Sequence, residues 1–145
     1  MMASLDWRDG ATARLTVGGL SLECAMWGPP PAEAPTIFLL HEGLGCVALW
    51  RDFPEQLAAA TGCGVFAWSR AGYGASDPKP LPWSLDYMED EARDCVPQVL
   101  DAVGCGDIKH LRHLVDHLLR CDVNTLPGRL KHRRHRLHRH RQAGN

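Results

Sequence analysis

The chain has 145 residues, enough for one small domain and too few for two of ordinary size. Its residues are 45% hydrophobic and 7% aromatic, a composition typical of a globular protein, which excludes a chain that is disordered throughout. No segment approaches the roughly 18 apolar residues of a membrane-spanning helix, and the N-terminal residues lack the pattern of a signal peptide. We therefore expect no membrane partner.

The net charge of −1 conceals an acidic part and a basic part of the chain. Residues 1–107 contain 6 Lys and Arg against 15 Asp and Glu, a net charge of −9, whereas residues 108–145 contain 10 against 2, a net charge of +8. The basic part also holds seven of the eight histidines. We predict a folded domain over residues 8–107 and a His- and Arg-rich tail over 108–145, an amphipathic helix followed by disordered chain.

The six cysteines are scattered along the sequence and form no C-x-x-C pair. Because no secretion signal is visible, we expect them to behave as small buried hydrophobic residues and not as disulfides. The same observation predicts a cytoplasmic protein.

Two segments with strand patterning begin the domain. Residues 11–17 alternate small or polar side chains with apolar ones, and a second β-patterned segment covers residues 20–27. Only Gly18 and Gly19 separate them, which predicts a β-hairpin. A Gly-Pro-Pro-Pro run at residues 28–31 then ends the hairpin.

A strand–helix–strand pattern follows the hairpin. Residues 35–41 include a continuous apolar run, which predicts a strand buried on both faces. Apolar residues at spacings of three and four predict a helix between Trp50 and Thr61, and residues 64–68 form a second apolar strand. Two strands joined through a helix predict a parallel sheet.

A second helix is predicted from an N-cap at Ser84 to about Val103, with a kink at Pro97. A further parallel strand is expected next, but residues 108–119 have helical apolar spacing instead. The predicted fold is therefore α/β, a truncated sheet of one hairpin and two parallel strands with two helices. Its interior edge would be open to self-association.

Two motifs at the ends of the predicted parallel strands resemble the α/β-hydrolase superfamily. The string LLHEGLG, residues 39–45, is similar to the family's strand end in His-Gly-x-x-Gly. The string SRAGYGASDP, residues 69–78, is similar to the next strand end, D-x-R-G-x-G-x-S, and departs from it at Ala71. The resemblance covers roughly residues 8–107 and implies an esterase-like hydrolase that needs no cofactor.

The resemblance implies that the backbone N–H of Gly43 contributes to an oxyanion hole. It gives the other motif residues structural roles, and these are His41, Glu42, Gly45, Arg70, Gly72, Gly74, Ser76 and Asp77. His41 is not the catalytic base by this resemblance, because the family's catalytic histidine lies much later in the chain. Glu42 departs from the pattern, since the family has a glycine there.

The motif that carries the nucleophile is missing. In the family it is G-x-S-x-G, and its start is expected within about ten residues of Gly106. The sequence contains no G-x-S-x-G, and all five serines precede that position. We therefore predict no catalytic residue and a catalytically incomplete fragment, with a small ester-like substrate only in intact relatives.

Three explanations of the basic tail remain open. In the first, residues from about Ile108 onward are translated out of frame or come from an aberrant gene end, which would explain the abrupt change in composition. In the second, the tail binds nucleic acid without sequence specificity, since arginines neutralise phosphates. The latter is the alternative function of the chain. A third explanation is metal binding, and the clustered histidines are His132, His135, His138 and His140. We do not predict a metal site, because the interleaved arginines oppose a cation.

Overall fold

The computed structural model describes residues 5–41, 43–105 and 112–113. Within these residues one mixed sheet is formed by the strands β1 (Ala11–Val17), β2 (Leu20–Trp27), β3 (Thr36–Leu40), β4 (Gly64–Trp68) and β5 (Arg112–His113). Their order across the sheet is β1-β2-β4-β3-β5. The pairs β1–β2 and β2–β4 are antiparallel, whereas β3 is parallel to both β4 and β5. The α/β class and the parallel pair predicted from the sequence are confirmed.

The predicted hairpin is also confirmed, with its strands at the predicted residues. Val17 pairs with Leu20, so only Gly18 and Gly19 form the turn, with φ of 57° and 80°. A two-residue turn with positive φ at both positions matches the right-handed twist of the strands that it joins. Glycine adopts this conformation without steric cost, which explains the Gly-Gly pair.

The first helix begins later than predicted. Val47–Trp50 form a short 3₁₀ turn, and helix α1 covers Phe53–Thr61. Arg51 lies between them with φ of 51°, which breaks the helical path. Gly62 ends α1 in the left-handed conformation, and its N–H donates to the carbonyl of Ala58 at 2.9 Å.

The second helical segment has three parts, α2 (Tyr87–Asp90), a π-helical turn (Glu91–Cys95) and α3 (Val96–Val103). It begins at Tyr87 and not next to Ser84 as predicted. The wide turn lies directly before Pro97, which has no N–H to donate and whose ring crowds the preceding turn. The predicted kink is therefore accommodated by a π-helical turn.

Both faces of the sheet are covered. On one face α3 packs against the hairpin and the centre of the sheet; the buried residues here include Leu15, Leu22, Met26, Phe38, Phe66, Trp68, Val99 and Leu100. On the other face α1 packs against Ala25, Ile37, Leu39, Val65 and Ala67. Consecutive residues of β3 and β4 therefore contribute to opposite cores, which explains why both strands are continuously apolar.

The prediction of a helix across residues 108–119 is wrong at Arg112 and His113. These two residues pair in parallel with Ile37 and Phe38 of β3. The edge of β3 away from β4 carries backbone donors and acceptors that a neighbouring strand satisfies. The edge predicted to be open is thus covered over two residues. The other residues of the tail lie outside the described part of the chain.

The buried thiol of Cys24 predicts a loss of stability at alkaline pH. Cys24 is 0% exposed on β2, and burial raises the pKa of its thiol from an ordinary 9.0 to about 11. The folded chain favours the neutral thiol, so its stabilising contribution is complete below pH 9 and is lost as the pH rises to about 11. This group should lower the free energy of unfolding by on the order of 2 kcal/mol across that interval.

The measurement is urea denaturation at several pH values for the wild type and Cys24→Ala. The variant should have a smaller loss of stability above pH 9. Burial also raises the pKa of the Cys95 and Cys105 thiols, so part of the loss should persist in the variant. Identical pH profiles for the two chains would contradict the prediction.

Candidate functional site

The two sequence motifs meet at one edge of the sheet. His41 directly follows β3, and Ser69 and Arg70 directly follow β4. Because β3 and β4 are parallel, their carboxyl ends lie at the same edge, which is where ligands bind in open α/β sheets. The backbone N–H of Arg70 donates to Nε2 of His41 at 3.0 Å, and this hydrogen bond joins the two strand ends.

His41 and Arg70 form a buried cluster with Tyr73. His41 is 6% exposed and Arg70 is 3% exposed. The Arg70 guanidinium lies 5.0 Å from the centroid of the Tyr73 ring, which itself lies 5.2 Å from the His41 ring. Nη1 of Arg70 also contacts Sδ of Met88 at 3.1 Å. The cluster therefore packs the segment after β4 against the end of β3 and against α2.

A carboxylate of the hairpin organises the segments that follow β3 and β4. Oε2 of Glu23 accepts hydrogen bonds from the Ser69 hydroxyl at 2.8 Å and from the Ala75 N–H at 3.0 Å. The Ser69 hydroxyl in turn accepts the N–H of Val47 at 2.9 Å. The Ser76 hydroxyl accepts the N–H of Glu23 at 2.8 Å and donates to the Ser69 carbonyl at 2.6 Å. Three chain segments are thus held together at this edge.

Asp77 fastens the end of the second motif to the hairpin. Its carboxylate accepts the N–H of Ser21 at 2.8 Å and lies 3.5 Å from Nη2 of Arg14. The Asp77 N–H donates back to the Ser21 carbonyl at 2.9 Å, and the Asp77 carbonyl accepts the N–H of Gly72 at 2.8 Å. These contacts close residues 70–77 into a compact loop.

The motif glycines have different surroundings. Gly72 and Gly74 have φ of 87° and 52°, a region that glycine adopts without the steric penalty of a side chain. Gly45 is buried, whereas Gly43 is exposed and a Cβ built on it would have no heavy atom within 4 Å. The backbone after β3 therefore faces open space at Gly43. Glu42 lies outside the described residues.

Ser69 and His41 lie at the same edge of the sheet, but their hydrogen bonds are not those of a catalytic pair. The Ser69 hydroxyl donates to a carboxylate and not to an imidazole, and Nε2 of His41 accepts a backbone N–H. An activated serine instead donates to a histidine nitrogen. The Ser69 hydroxyl is therefore hydrogen-bonded to Glu23 and Val47 and not to the His41 imidazole.

Comparison with known proteins identifies the fold. No protein-family model and no curated protein matches the chain. The structure is similar to a bacterial membrane phospholipase A, with a TM-score of 0.54 and 24% identity over 65% of this chain and 28% of that one. It is also similar to an epoxide hydrolase from Vigna radiata, with a TM-score of 0.51 and 20% identity over 65% and 28% of the two chains. This chain has the α/β-hydrolase fold. It spans less than a third of the length of either protein.

The role of Glu23 within this α/β-hydrolase fold was not foreseen from the sequence, and neither were those of Ser69 and Arg14. Glu23 lies on β2 between the buried residues Leu22 and Cys24. The sequence carries no local signal for it, because Ser21 and Glu23 alternate with apolar residues as in an ordinary half-exposed strand. The donors come from residues more than 40 positions later.

The described part of the α/β-hydrolase domain contains no group of three or more His, Cys, Asp or Glu residues placed to hold a metal ion. The histidine cluster of the tail lies outside the described residues. Among the described helices, none is long and apolar enough to cross a membrane. The five described cysteines are free thiols.

Proposed function

We propose that the chain carries the oxyanion-binding side of a hydrolase site and that these 145 residues do not turn over esters by themselves. The observation that carries the proposal is the exposure of Gly43, three residues beyond the end of β3. In an acyl transfer, a backbone N–H at this place would stabilise the charge that develops on the carbonyl oxygen of a small ester. Each such donor contributes about 3–4 kcal/mol to the transition state.

A backbone N–H that stabilises the oxyanion does not accelerate ester hydrolysis unless a nucleophile attacks the ester. The sequence has no G-x-S-x-G, and the Ser69 hydroxyl at this edge is hydrogen-bonded to Glu23 and Val47. Without a serine activated by a histidine, no acyl-enzyme forms, and the oxyanion has no precursor. We therefore propose a site that binds the carbonyl end of a substrate and lacks the nucleophile and the general base.

The test is hydrolysis of p-nitrophenyl butyrate by the purified 145-residue chain. We expect no saturable turnover and no loss of the observed rate on treatment with a serine-directed fluorophosphonate. Free imidazoles hydrolyse such esters slowly, and the tail holds seven histidines, so the chain ending at Asp107 serves as a control for that background.

A Ser69→Ala variant is the second control, because it removes the serine hydroxyl that follows β4 at the same edge of the sheet. Saturable turnover by the full chain that the fluorophosphonate abolishes would refute the proposal. If Ser69→Ala abolished the same turnover, the active serine would be identified as well.

A further inference from the structure

A pocket of about 340 Å³ lies between the β1–β2 hairpin and the π-helical turn. Its apolar wall is formed by Val17, Leu20, Leu22 and Ala71. The opposite wall is polar and includes Glu91 and Cys95 from the π-helical turn. Gly43, His41 and Ser69 do not line it, so this pocket is separate from the edge that follows β3 and β4.

Glu91 is the unusual member of this lining. Its side chain is only 7% exposed, yet its Oε1 is buried without a hydrogen-bond partner. A buried acceptor in this state is unfavourable, and buried polar atoms nearly always have a partner. Glu91 also begins the π-helical turn, a feature that is frequent at functional sites. A ligand in the pocket that donates a hydrogen bond to the Glu91 carboxylate would compensate for the missing partner.

The charges around the pocket favour a cationic donor. The charged residues that line it are Lys79, Asp90, Glu91, Arg93 and Asp94, a net charge of −1. Nη2 of Arg93 is bound to Asp90 at 2.6 Å and to Asp94 at 2.7 Å, so these two carboxylates share one cation. Nζ of Lys79 lies 6.0 Å from the centroid of the Tyr87 ring. Glu91 forms no ion pair with another described residue, so a cationic ligand could neutralise its charge.

We propose that this pocket binds a small primary amine with an apolar body. The ammonium group would donate to the carboxylate of Glu91, and the hydrocarbon chain would pack against Leu20, Leu22 and Val17. Charge-assisted hydrogen bonds are stronger than neutral ones, and the apolar wall rewards burial of methylene groups. The inference does not depend on the proposed function, since the two sites share none of the residues that carry either argument.

The test uses n-hexylammonium chloride as the probe and the full chain as the receptor, followed by saturation-transfer difference NMR at pH 7. We expect saturable binding that weakens about tenfold or more in Glu91→Gln, because the charged acceptor is lost. Glu89→Gln is the matched control, since it makes the same change of net charge two residues away and outside the pocket. Its affinity should equal that of the wild type, and 1-hexanol should bind about tenfold more weakly than the amine.

Several results would overturn the proposal. They are the absence of saturable binding, an equal loss of affinity in both glutamine variants, and equal affinity for the amine and the alcohol. If Glu91→Gln does not fold by circular dichroism, Leu20→Trp provides a second test, because it fills the apolar end of the pocket from the hairpin. Unchanged affinity in that variant would also refute the site.

Lys79→Met removes a competing ammonium group, so the affinity for hexylammonium should be equal or higher in this variant. Loss of binding would contradict the proposal.

Discussion

Replacement of Phe66 by alanine should lower the free energy of unfolding by about 3–5 kcal/mol. Phe66 is 0% exposed at the centre of β4, between Met26 of β2 and Phe38 of β3. Its ring centroid lies 5.6 Å from that of Phe38 and 6.2 Å from that of Trp68. Because paired strands flank the position on both sides, the backbone cannot collapse into the cavity. The loss is a large fraction of the total stability of a small domain.

The measurement is urea denaturation followed by tryptophan fluorescence, which reports on this core because Trp68 is part of it. Phe53→Ala is the matched control, since Phe53 is 40% exposed at the start of α1. Removal of the same side chain there should cost about 1 kcal/mol or less. Equal losses of unfolding free energy in the two variants would contradict the prediction that the centre of the sheet contributes most to stability.

The sheet was predictable because its strands are marked by local sequence. Gly64–Trp68 is an apolar run between Thr61-Gly62 and the second motif, and the structure has a strand with these bounds. The hairpin was equally clear, since a Gly-Gly pair between two β-patterned segments has few other conformations. Periodicity also placed α1, although it could not show that Arg51 separates a 3₁₀ turn from the helix.

The remaining features depend on contacts between distant residues. Pro97 predicted an interruption of the second helix, but the pattern does not distinguish a kink from a π-helical turn, because both relieve the same clash. The pairing of Arg112 with Ile37 involves residues 75 positions apart and no apolar run. In the candidate site, the two motifs lie at the same edge of the sheet because they follow parallel strands, whereas Glu23 joins them only because the sheet brings β2 beside β4.

Gly74→Ala should cost about 2–5 kcal/mol, as the sum of two effects. The φ of 52° imposes on alanine the strain of the left-handed conformation, about 1–2 kcal/mol. A Cβ at Gly74 would also lie 2.5 Å from Oε2 of Glu23 and 2.7 Å from Oγ of Ser69. These two oxygens are fixed by the hydrogen bonds that join β2, β4 and the segment after β3, so moving them breaks partly buried hydrogen bonds at about 1–3 kcal/mol.

Gly18→Ala separates the two effects. Gly18 has a similar φ of 57°, but a Cβ there would have no heavy atom within 4 Å, so only the backbone strain applies. Urea denaturation should therefore give a loss of about 1–2 kcal/mol for this variant. A loss in Gly74→Ala no larger than that in Gly18→Ala would contradict the contact argument.

Glu23→Ala removes one of the oxygens that the new Cβ meets, so Glu23→Ala combined with Gly74→Ala should cost less than the sum of the single variants. Strict additivity would mean that Glu23 does not restrict position 74, and the loop would then be held by the other contacts alone.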